Sequence, residues 1–253
     1  MPHRIERDGA SLAFHRLDGR RPGIVFLGGF RSDMTGTKAV ALEAWARREG
    51  QAFLRLDYAG HGASGGRFED GTIGGWRDDA LAVIEHAAPG PNVVVGSSMG
   101  GWIALLLARD RPDLVAGLVT VAAAPDFTED GYWAGFSEAE RRTLMEEGSV
   151  AVPSEYGEPL RITRALIERG RDVLVLRAPL ALPMPVRFLQ GTADADVPAH
   201  WATRLLDHAE GPDMTLLLAK GADHRFSDAS GLALIEGAVR DVLARVDGAG
   251  APS

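Results

Sequence analysis

The sequence predicts an α/β fold, in which a mostly parallel, doubly wound sheet has helices on both faces and carries a small cap insertion. Three observations predict it. Short apolar runs alternate with longer amphipathic segments along most of the chain, as in parallel sheets covered by helices. The run NVVVG at 92–96 is apolar and rich in β-branched residues, which is typical of a strand buried on both faces. An irregular stretch at 125–185 interrupts the alternation and indicates the insertion.

The order of the elements follows from these patterns. Strands are predicted at 23–27, 52–57, 92–96, 114–123, 186–190 and 214–218. Helices are predicted at 37–49, 73–87, 100–109, 138–147, 200–209 and 232–246; apolar residues recur at helical spacing in 73–87, the segment 100–109 is apolar almost all round, and 138–147 is highly charged. The helix at 138–147 belongs to the irregular stretch.

A length of 253 residues is near the upper limit of what one hydrophobic core supports. We therefore expect one core, made of residues 1–124 and 186–253, with residues 125–185 as a cap or lid. The insertion contains the aromatic residues Tyr132, Trp133 and Phe136 within five positions and ends in the proline-rich segment RAPLALPMP.

Composition excludes several classes of function. A net charge of −8 argues against a nucleic-acid-binding face and against attraction to anionic membranes. The absence of cysteine excludes disulfides, thiolate metal sites and cysteine nucleophiles. No segment has the length of a membrane span or the apolar core of a signal peptide, so a cytoplasmic location is expected. The sequence leaves the oligomeric state open.

The segment Gly96-Ser97-Ser98-Met99-Gly100 fits the pattern G-x-S-x-G and makes Ser98 the candidate nucleophile. The pattern alone is weak, because the chain contains 31 glycines. Its context is more specific, since an apolar strand precedes it and a helical segment follows it. A serine on such a sharp strand-to-helix turn projects its hydroxyl above the edge of the sheet.

A serine nucleophile needs a base, and the base needs a carboxylate that orients it. On this kind of sheet the carboxylate comes before the histidine in the chain. The loop QGTADADVP at 190–198 offers Asp194 and Asp196. We predict Asp194 as the acid and assign Asp196 to the entry of the next helix, where an acidic side chain is favourable.

His224 is the predicted base, because it alone of the seven histidines follows the last strand. From that position it can reach across the strand ends to Ser98. The alternative is His61, which lies in the strand-end loop DYAGHGAS; we interpret it as a residue that orders its own loop.

Two backbone amides are predicted to bind the oxyanion. The Met99 amide follows the nucleophile at a helix N-terminus, and the Phe30 amide lies in the glycine-containing loop LGGFRS after the first core strand. The chain has no H-E-x-x-H segment, no phosphate-binding G-x-x-x-x-G-K-[ST] loop and no G-x-G-x-x-G opening a helix after a strand. We therefore expect neither a metal nor a cofactor.

The segments LGGFRSD, LDYAGHGAS, GSSMGGW, QGTADADVP and GADHRFSD resemble, in order and spacing, the α/β-hydrolase superfamily. The segment FLGGFRSDMTGTKA is most similar to the branch of mitochondrial acyl-protein thioesterases that also hydrolyse acyl glucuronides. The resemblance implies the α/β-hydrolase fold, with Ser98 as nucleophile, Asp194 as acid, His224 as base and the amides of Phe30 and Met99 as the oxyanion hole. One difference is that Gly28-Gly29 replaces the usual His-Gly.

These residues predict a serine hydrolase that cleaves carboxylic esters or thioesters of a small or acylated substrate through an acyl-enzyme. Amides are less suited, because their poorer leaving groups demand stronger protonation. Three alternatives stay open: a carbon–carbon bond hydrolase using the same triad, a binding protein with a degenerate triad, and a scaffold that uses the aromatic insertion.

Overall fold

The computed structural model describes residues 1–153 and 159–249, so residues 154–158 of the predicted insertion and 250–253 of the predicted core lie outside the described part. Twelve strands follow one another along the described residues: β1 (His3–Arg7), β2 (Ala10–Leu17), β3 (Arg20–Leu27), β4 (Gln51–Leu56), β5 (Asn92–Ser97), β6 (Val115–Val121), β7 (Ser149–Val152), β8 (Leu160–Thr163), β9 (Leu180–Ala181), β10 (Val186–Gly191), β11 (Ala209–Glu210) and β12 (Met214–Ala219).

Helices connect these strands: α1 (Thr37–Glu49), α2 (Ile73–Ala87), α3 (Met99–Asp110), α4 (Glu138–Glu147), α5 (Arg164–Gly170), α6 (Ala199–His208) and α7 (Ala229–Ala249). A π-helical segment, Phe127–Trp133, precedes α4. Each predicted strand and helix is confirmed, with ends that differ by three residues or fewer. The hydrophobic pattern was sufficient for the central strands, because β5 and β10 are buried along their whole length.

The main sheet confirms the predicted fold class. Its eight strands lie in the spatial order β1-β2-β4-β3-β5-β6-β10-β12. All neighbours from β4 to β12 pair in parallel, whereas β2 pairs with β1 and with β4 in antiparallel orientation. The central parallel strands therefore present their carboxyl ends at one edge, where functional residues of such sheets usually lie.

The two N-terminal strands are absent from the prediction. β1 has the sequence HRIER, in which Ile5 is the one apolar residue, so alternation gives almost no signal. β2 buries Leu12 and Phe14, but its position depends on backbone pairing with β4, some 40 residues along the chain. Local periodicity does not report such a pairing.

The core has a layer on each face of the sheet. One layer contains the buried rings of Trp76 from α2 and Trp102 from α3. The other contains Trp45 from α1 and Val239 from α7. Burial of these apolar surfaces is the main favourable term in folding, and it fixes the helices on either side of β5.

The predicted insertion folds onto the first of these layers. It contains α4, the antiparallel hairpin β7–β8 and α5. The buried side chains of Leu144, Ile162 and Leu166 belong to the same apolar cluster as α2 and α3. The Trp102 indole also donates a hydrogen bond to the Val173 carbonyl, at 3.2 Å.

Asp126 joins the two ends of the insertion. Its carboxylate is fully buried and accepts hydrogen bonds from the amides of Val175 and Leu176, at 2.8 and 3.0 Å. Burial raises the pKa of Asp126, although these amides and Arg177 act in the opposite direction. The first residues of the insertion are thereby fixed to its last part.

In the described part of the chain, none of the helices has both the length and the apolarity that crossing a membrane requires.

Candidate active site

The carboxyl ends of β5, β10 and β12 bring together the three side chains that the sequence predicts as nucleophile, acid and base. These strands belong to one parallel region, so their carboxyl ends share an edge of the sheet. The Nε2 atom of His224 lies 3.1 Å from Ser98 Oγ, and its Nδ1 atom lies 2.9 Å from Asp194 Oδ2. The three residues therefore form one continuous chain of hydrogen bonds.

Ser98 occupies a strained turn between β5 and α3. Its φ of 54° and ψ of −119° are values that residues with a side chain rarely adopt. A Cβ atom at Gly96 would lie 2.2 Å from the Gly100 carbonyl oxygen, and one at Gly100 would lie 2.2 Å from the Leu27 carbonyl oxygen. Both positions thus require glycine. The Ser98 amide donates to the Val121 carbonyl at 2.9 Å, which fixes the turn to β6.

Asp194 is held as an ionised acceptor. Its Oδ1 atom accepts from the amides of Asp196 and Val197, at 2.9 and 2.8 Å, and its Oδ2 atom accepts from Gln190 Nε2 at 2.9 Å and from His224. Burial by itself would raise the pKa of Asp194, but the hydrogen bonds from His224, Val197 and Gln190 outweigh it and lower the pKa below its usual value. The carboxylate is therefore charged at neutral pH, as an orienting partner of an imidazole must be.

The alternative acid, Asp196, is exposed and serves the site through its backbone amide. Its carboxylate is close to the other two groups: Asp194, Asp196 and His224 each offer an atom within 4.8 Å of the others, a spacing that a metal ion could bridge. Both ring nitrogens of His224, however, already have hydrogen-bond partners in Ser98 and Asp194. The expectation that the chain uses no metal stays a prediction.

The loops that carry the acid and the base are fixed to each other. The Ala193 amide donates to the Ala222 carbonyl at 3.0 Å, and the Gly221 amide donates to Thr192 Oγ1 at 2.9 Å. These two contacts join the segment after β10 to the segment after β12. The backbone of the loop that carries His224 is thus fixed by hydrogen bonds, and the His224 side chain is 20 % exposed.

The predicted oxyanion donors flank Ser98. Met99 is the first residue of α3, whose N-terminal amides have no intrahelical acceptor. A Cβ atom at Gly29 would lie 3.3 Å from Ser98 Cβ, so the backbone leading to Phe30 passes beside the nucleophile. Within residues 1–153 and 159–249, neither the Phe30 nor the Met99 amide donates to another protein group. Their role in binding an oxyanion stays a prediction.

Side chains that the sequence analysis did not select hold the loop at Gly28-Gly29. The Tyr58 hydroxyl donates to the Gly28 carbonyl at 3.2 Å. The amide and hydroxyl of Ser32 both donate to the Gly29 carbonyl, at 3.1 and 2.8 Å. The sequence analysis also did not select Gln190, which donates a hydrogen bond to Asp194. Its position as a polar residue at the end of an apolar strand could have indicated it. No local sequence pattern indicated the role of Tyr58, because its hydrogen-bond partner is 30 positions away.

His61 does not reach the nucleophile. It is 3 % exposed, and its Nδ1 atom lies 3.2 Å from the Ala59 carbonyl oxygen. Its ring packs edge-on against Tyr58, Phe68 and Trp76. Burial lowers the pKa of His61 to about 4, so the imidazole is neutral in the folded protein. The interpretation of His61 as a residue that orders its own loop agrees with this environment.

An aromatic wall adjoins the predicted oxyanion loop. The ring of Phe30 packs against those of Phe68, Trp76, Phe127 and Tyr132, with centroid distances of 4.9 to 6.5 Å. Phe127 and Tyr132 come from the insertion. The insertion therefore supplies apolar surface directly beside the loop that passes Ser98.

The arrangement is suited to nucleophilic catalysis. An imidazole in contact with a serine hydroxyl and with a buried, ionised carboxylate can accept the hydroxyl proton while the carboxylate stabilises the resulting imidazolium. The position of Ser98 at the start of α3 adds the partial positive charge of a helix N-terminus.

Comparisons with known proteins agree with this chemistry. Residues 20–151 match the family model described as serine aminopeptidase, S33. The chain is 36 % identical over 241 residues to the mitochondrial palmitoyl-protein thioesterase ABHD10 of Bos taurus, covering 93 % of this chain and 78 % of that protein.

The chain is also similar to solved structures of hydrolases. A hydrolase from Agrobacterium vitis S4 is 41 % identical, with a TM-score of 0.91 over 96 % of this chain and 98 % of that chain. The α/β-hydrolase domain-containing protein 10 from mouse is 32 % identical, with a TM-score of 0.89 over 97 % of this chain and 99 % of that chain. The similarity thus extends through the insertion as well as the sheet.

Proposed function

The chain belongs to the α/β-hydrolase family, and we propose that it is a serine hydrolase that cleaves carboxylic thioesters and esters with Ser98, His224 and Asp194 as its catalytic triad. The observation that carries this proposal is the hydrogen-bond chain from Asp194 through His224 to Ser98 Oγ, at 2.9 and 3.1 Å. The strained turn at Ser98 supports it, because such strain persists where the surrounding structure enforces it for function.

Acylation begins when Ser98 Oγ attacks the substrate carbonyl carbon and His224 Nε2 accepts the hydroxyl proton. The tetrahedral oxyanion accepts hydrogen bonds from the amides of Phe30 and Met99. His224 then gives the proton to the leaving thiolate or alkoxide, and the acyl group remains on Ser98. Throughout this step Asp194 keeps the Nδ1 proton of His224 in place and stabilises the imidazolium.

Deacylation repeats the sequence with water. His224 Nε2 takes a proton from a water molecule as its oxygen attacks the acyl carbonyl, and the same two amides bind the oxyanion. Collapse of this intermediate returns the proton to Ser98 Oγ and releases the carboxylic acid.

The proposed substrate is an acylated molecule with an apolar acyl group. The partly exposed rings of Phe30, Phe68, Phe127 and Tyr132 offer apolar surface beside the loop that passes Ser98. Five relatives that are 34–36 % identical over 92–93 % of this chain are named as palmitoyl-protein thioesterases, which supports a thioester as the preferred bond. Activity on vinylogous diketones with none on thioesters would instead favour carbon–carbon bond hydrolysis.

Residues 125–185 are proposed to act as a cap over the core formed by residues 1–124 and 186–253. Support comes from Asp126, which ties the beginning of the insertion to Val175 and Leu176, and from the two rings that the insertion adds to the aromatic wall. The mammalian relatives are named as mitochondrial; for this chain a cytoplasmic location stays a prediction.

A panel of acyl esters and matched thioesters of increasing chain length tests the proposal. We expect turnover that rises with acyl length to a maximum, covalent labelling by a fluorophosphonate probe, and loss of both in Ser98→Ala. The loss in kcat should amount to several orders of magnitude, with a residual rate from binding and the oxyanion hole. Ser230→Ala, which removes an exposed hydroxyl at the start of α7, is the control and should label like the wild type.

A folded wild-type protein that neither reacts with the probe nor turns over any member of the panel would exclude a serine hydrolase. Labelling at a residue other than Ser98 would exclude the assignment of the nucleophile.

A further inference from the structure

Lys38 stands out because the chain contains two lysines and 25 arginines. It is the second residue of α1 and lies on the same side of the sheet as α7. Its ammonium donates a hydrogen bond of 2.5 Å to the carbonyl oxygen of Arg225, a residue 187 positions away. That carbonyl belongs to the residue directly after His224.

Besides the two contacts that join the loops after β10 and β12, further contacts hold the backbone that follows His224. On its C-terminal side, Phe226 has a φ of 48° and a ring that is 1 % exposed within the layer between the sheet, α1 and α7. Asp223 Oδ1 accepts from the amides of Arg225 and Phe226, at 3.0 and 3.1 Å. These bonds shape the loop internally. The bond from Lys38 is different, because it joins the Arg225 carbonyl to a separate helix.

We propose that Lys38 is a positioning residue for the base: by binding the Arg225 carbonyl, it fixes the backbone that presents the His224 imidazole to Ser98 and Asp194. The inference rests on the proposed function, since it concerns the same triad. The Arg225 carbonyl also accepts from Ser227 Oγ at 3.1 Å, a bond within the same loop, whereas the bond from Lys38 ties that carbonyl to α1. A displacement of about 1 Å at a catalytic group is enough to slow a reaction about 100-fold, and loss of the tie to α1 permits such a displacement.

The surroundings of Lys38 make its bond responsive to pH. Burial lowers the pKa of Lys38 to about 8, Asp223 acts to raise it, and Arg225 acts to lower it. A neutral amine is a weaker donor than an ammonium. The support that Lys38 gives to the Arg225 carbonyl therefore weakens as the pH rises through about 8.

Three variants test the proposal. Lys38→Met keeps the aliphatic part of the side chain and removes the donor, Lys38→Arg keeps a charged donor that does not lose its proton in this range, and Lys220→Met is the matched control. Lys220 is exposed and lies in the same loop as His224, so its replacement removes an equal charge without removing the bond to Arg225.

We expect Lys38→Met to lower kcat about 10- to 100-fold with KM nearly unchanged, and Lys38→Arg to restore most of the rate. Lys220→Met should stay close to the wild type. The wild-type kcat should decrease above pH 8, and this decrease should be absent in Lys38→Arg. A kcat for folded Lys38→Met within about two-fold of the wild type, on protein counted by fluorophosphonate titration, would overturn the proposal, as would an equal alkaline decrease in Lys38→Arg.

Nuclear magnetic resonance separates this inference from the proposed function. The His224 Nδ1 proton, hydrogen-bonded to Asp194, should give a low-field signal in the wild type, in Lys220→Met and in Lys38→Arg, and a broadened or exchanging signal in Lys38→Met. This readout does not need turnover. If the wild type neither labels nor hydrolyses esters and yet the signal depends on Lys38, the proposed function fails and the positioning role stands. If the signal is unchanged in Lys38→Met, the positioning role fails. If Lys38→Met does not fold, the proposal is tested by the pH dependence of kcat in the wild type and in Lys38→Arg.

Discussion

At the scale of single residues, the site depends on how Asp194 is held. The sequence offers two carboxylates two positions apart, and either could follow the strand β10 closely enough to orient a histidine. In the folded chain the Asp194 side chain has no solvent exposure and hydrogen-bonds to His224, whereas Asp196 is exposed and contributes an amide. Burial and direct contact with the imidazole thus distinguish two chemically identical side chains.

We expect Asp194→Asn to lower kcat about 10³- to 10⁴-fold, because an amide cannot stabilise the imidazolium and allows the wrong tautomer of His224. Asp196→Asn removes an equal charge from the same loop and should change kcat little. Steady-state kinetics of both variants on one thioester measure the difference. If Asp196→Asn is inactive and Asp194→Asn is active, the assignment of the acid is wrong.

At the scale of elements, the turn from β5 to α3 determines the geometry of the nucleophile. The first turn of α3 packs so closely against the end of β3 that a Cβ atom at Gly100 would lie 2.2 Å from the Leu27 carbonyl oxygen. This closeness brings the helix N-terminus, and with it the Met99 amide, beside Ser98. The glycines of G-x-S-x-G therefore have a steric role that can be measured separately from catalysis.

Gly100→Ala should destabilise the fold by about 1–3 kcal/mol, because the new Cβ must displace backbone atoms of the neighbouring strand. Gly237→Ala is the matched control: it lies within the helix α7, and a Cβ there would meet nothing within 4 Å. That variant should be unchanged or more stable by up to about 1 kcal/mol, since alanine favours a helix over glycine. Urea unfolding of the two variants gives both free energies, and equal values would show that the close approach at Gly100 is not a constraint.

At the scale of the whole molecule, an ion pair connects the strand β10 to the last helix, α7. Arg187 on β10 is 7 % exposed and pairs with Asp241 on α7 at 2.6 Å and with Asp213 before β12 at 2.9 Å. Burial by itself would raise the pKa of Asp241, but hydrogen bonds from Arg187 and Arg245 outweigh it and lower the pKa. The carboxylate at this junction is therefore bound more strongly in its ionised form.

A carboxyl whose pKa is lower in the folded than in the unfolded chain stabilises the fold above its unfolded pKa, near 4. That contribution is lost as the pH falls through the folded value. The difference in unfolding free energy between the wild type and Asp241→Asn should accordingly be largest at neutral pH and shrink below about pH 4. Urea unfolding from pH 7 to pH 3 measures it. Asp247→Asn, an exposed position on the same helix, is the control, and a difference that does not depend on pH would contradict the account.

Patterns in the amino-acid sequence were enough to predict the α/β class, the central parallel strands and the helices between them. Each of these elements carries its signal in consecutive residues, as a buried apolar run or as helical periodicity. The same local patterns showed that Ser98, Asp194 and His224 each follow a strand. Because parallel strands of one sheet end at a common edge, the three residues could be predicted to lie close together. The strands β1 and β2 could not be predicted in this way, because their positions depend on backbone pairing rather than on a hydrophobic pattern.

The side chains that complete the site can be identified only in the folded chain. The Asp194 side chain is buried and hydrogen-bonds to the imidazole, whereas the residue Asp196, two positions further on, is exposed. Tyr58 reaches the Gly28 carbonyl across 30 positions, and Lys38 reaches the Arg225 carbonyl across 187. A hydrogen bond between distant segments exists only after both have been packed against the same core, so no run of consecutive residues encodes it. The central strands and helices of this protein are local properties of its sequence, whereas the contacts that hold Ser98, Asp194 and His224 in place are properties of the fold.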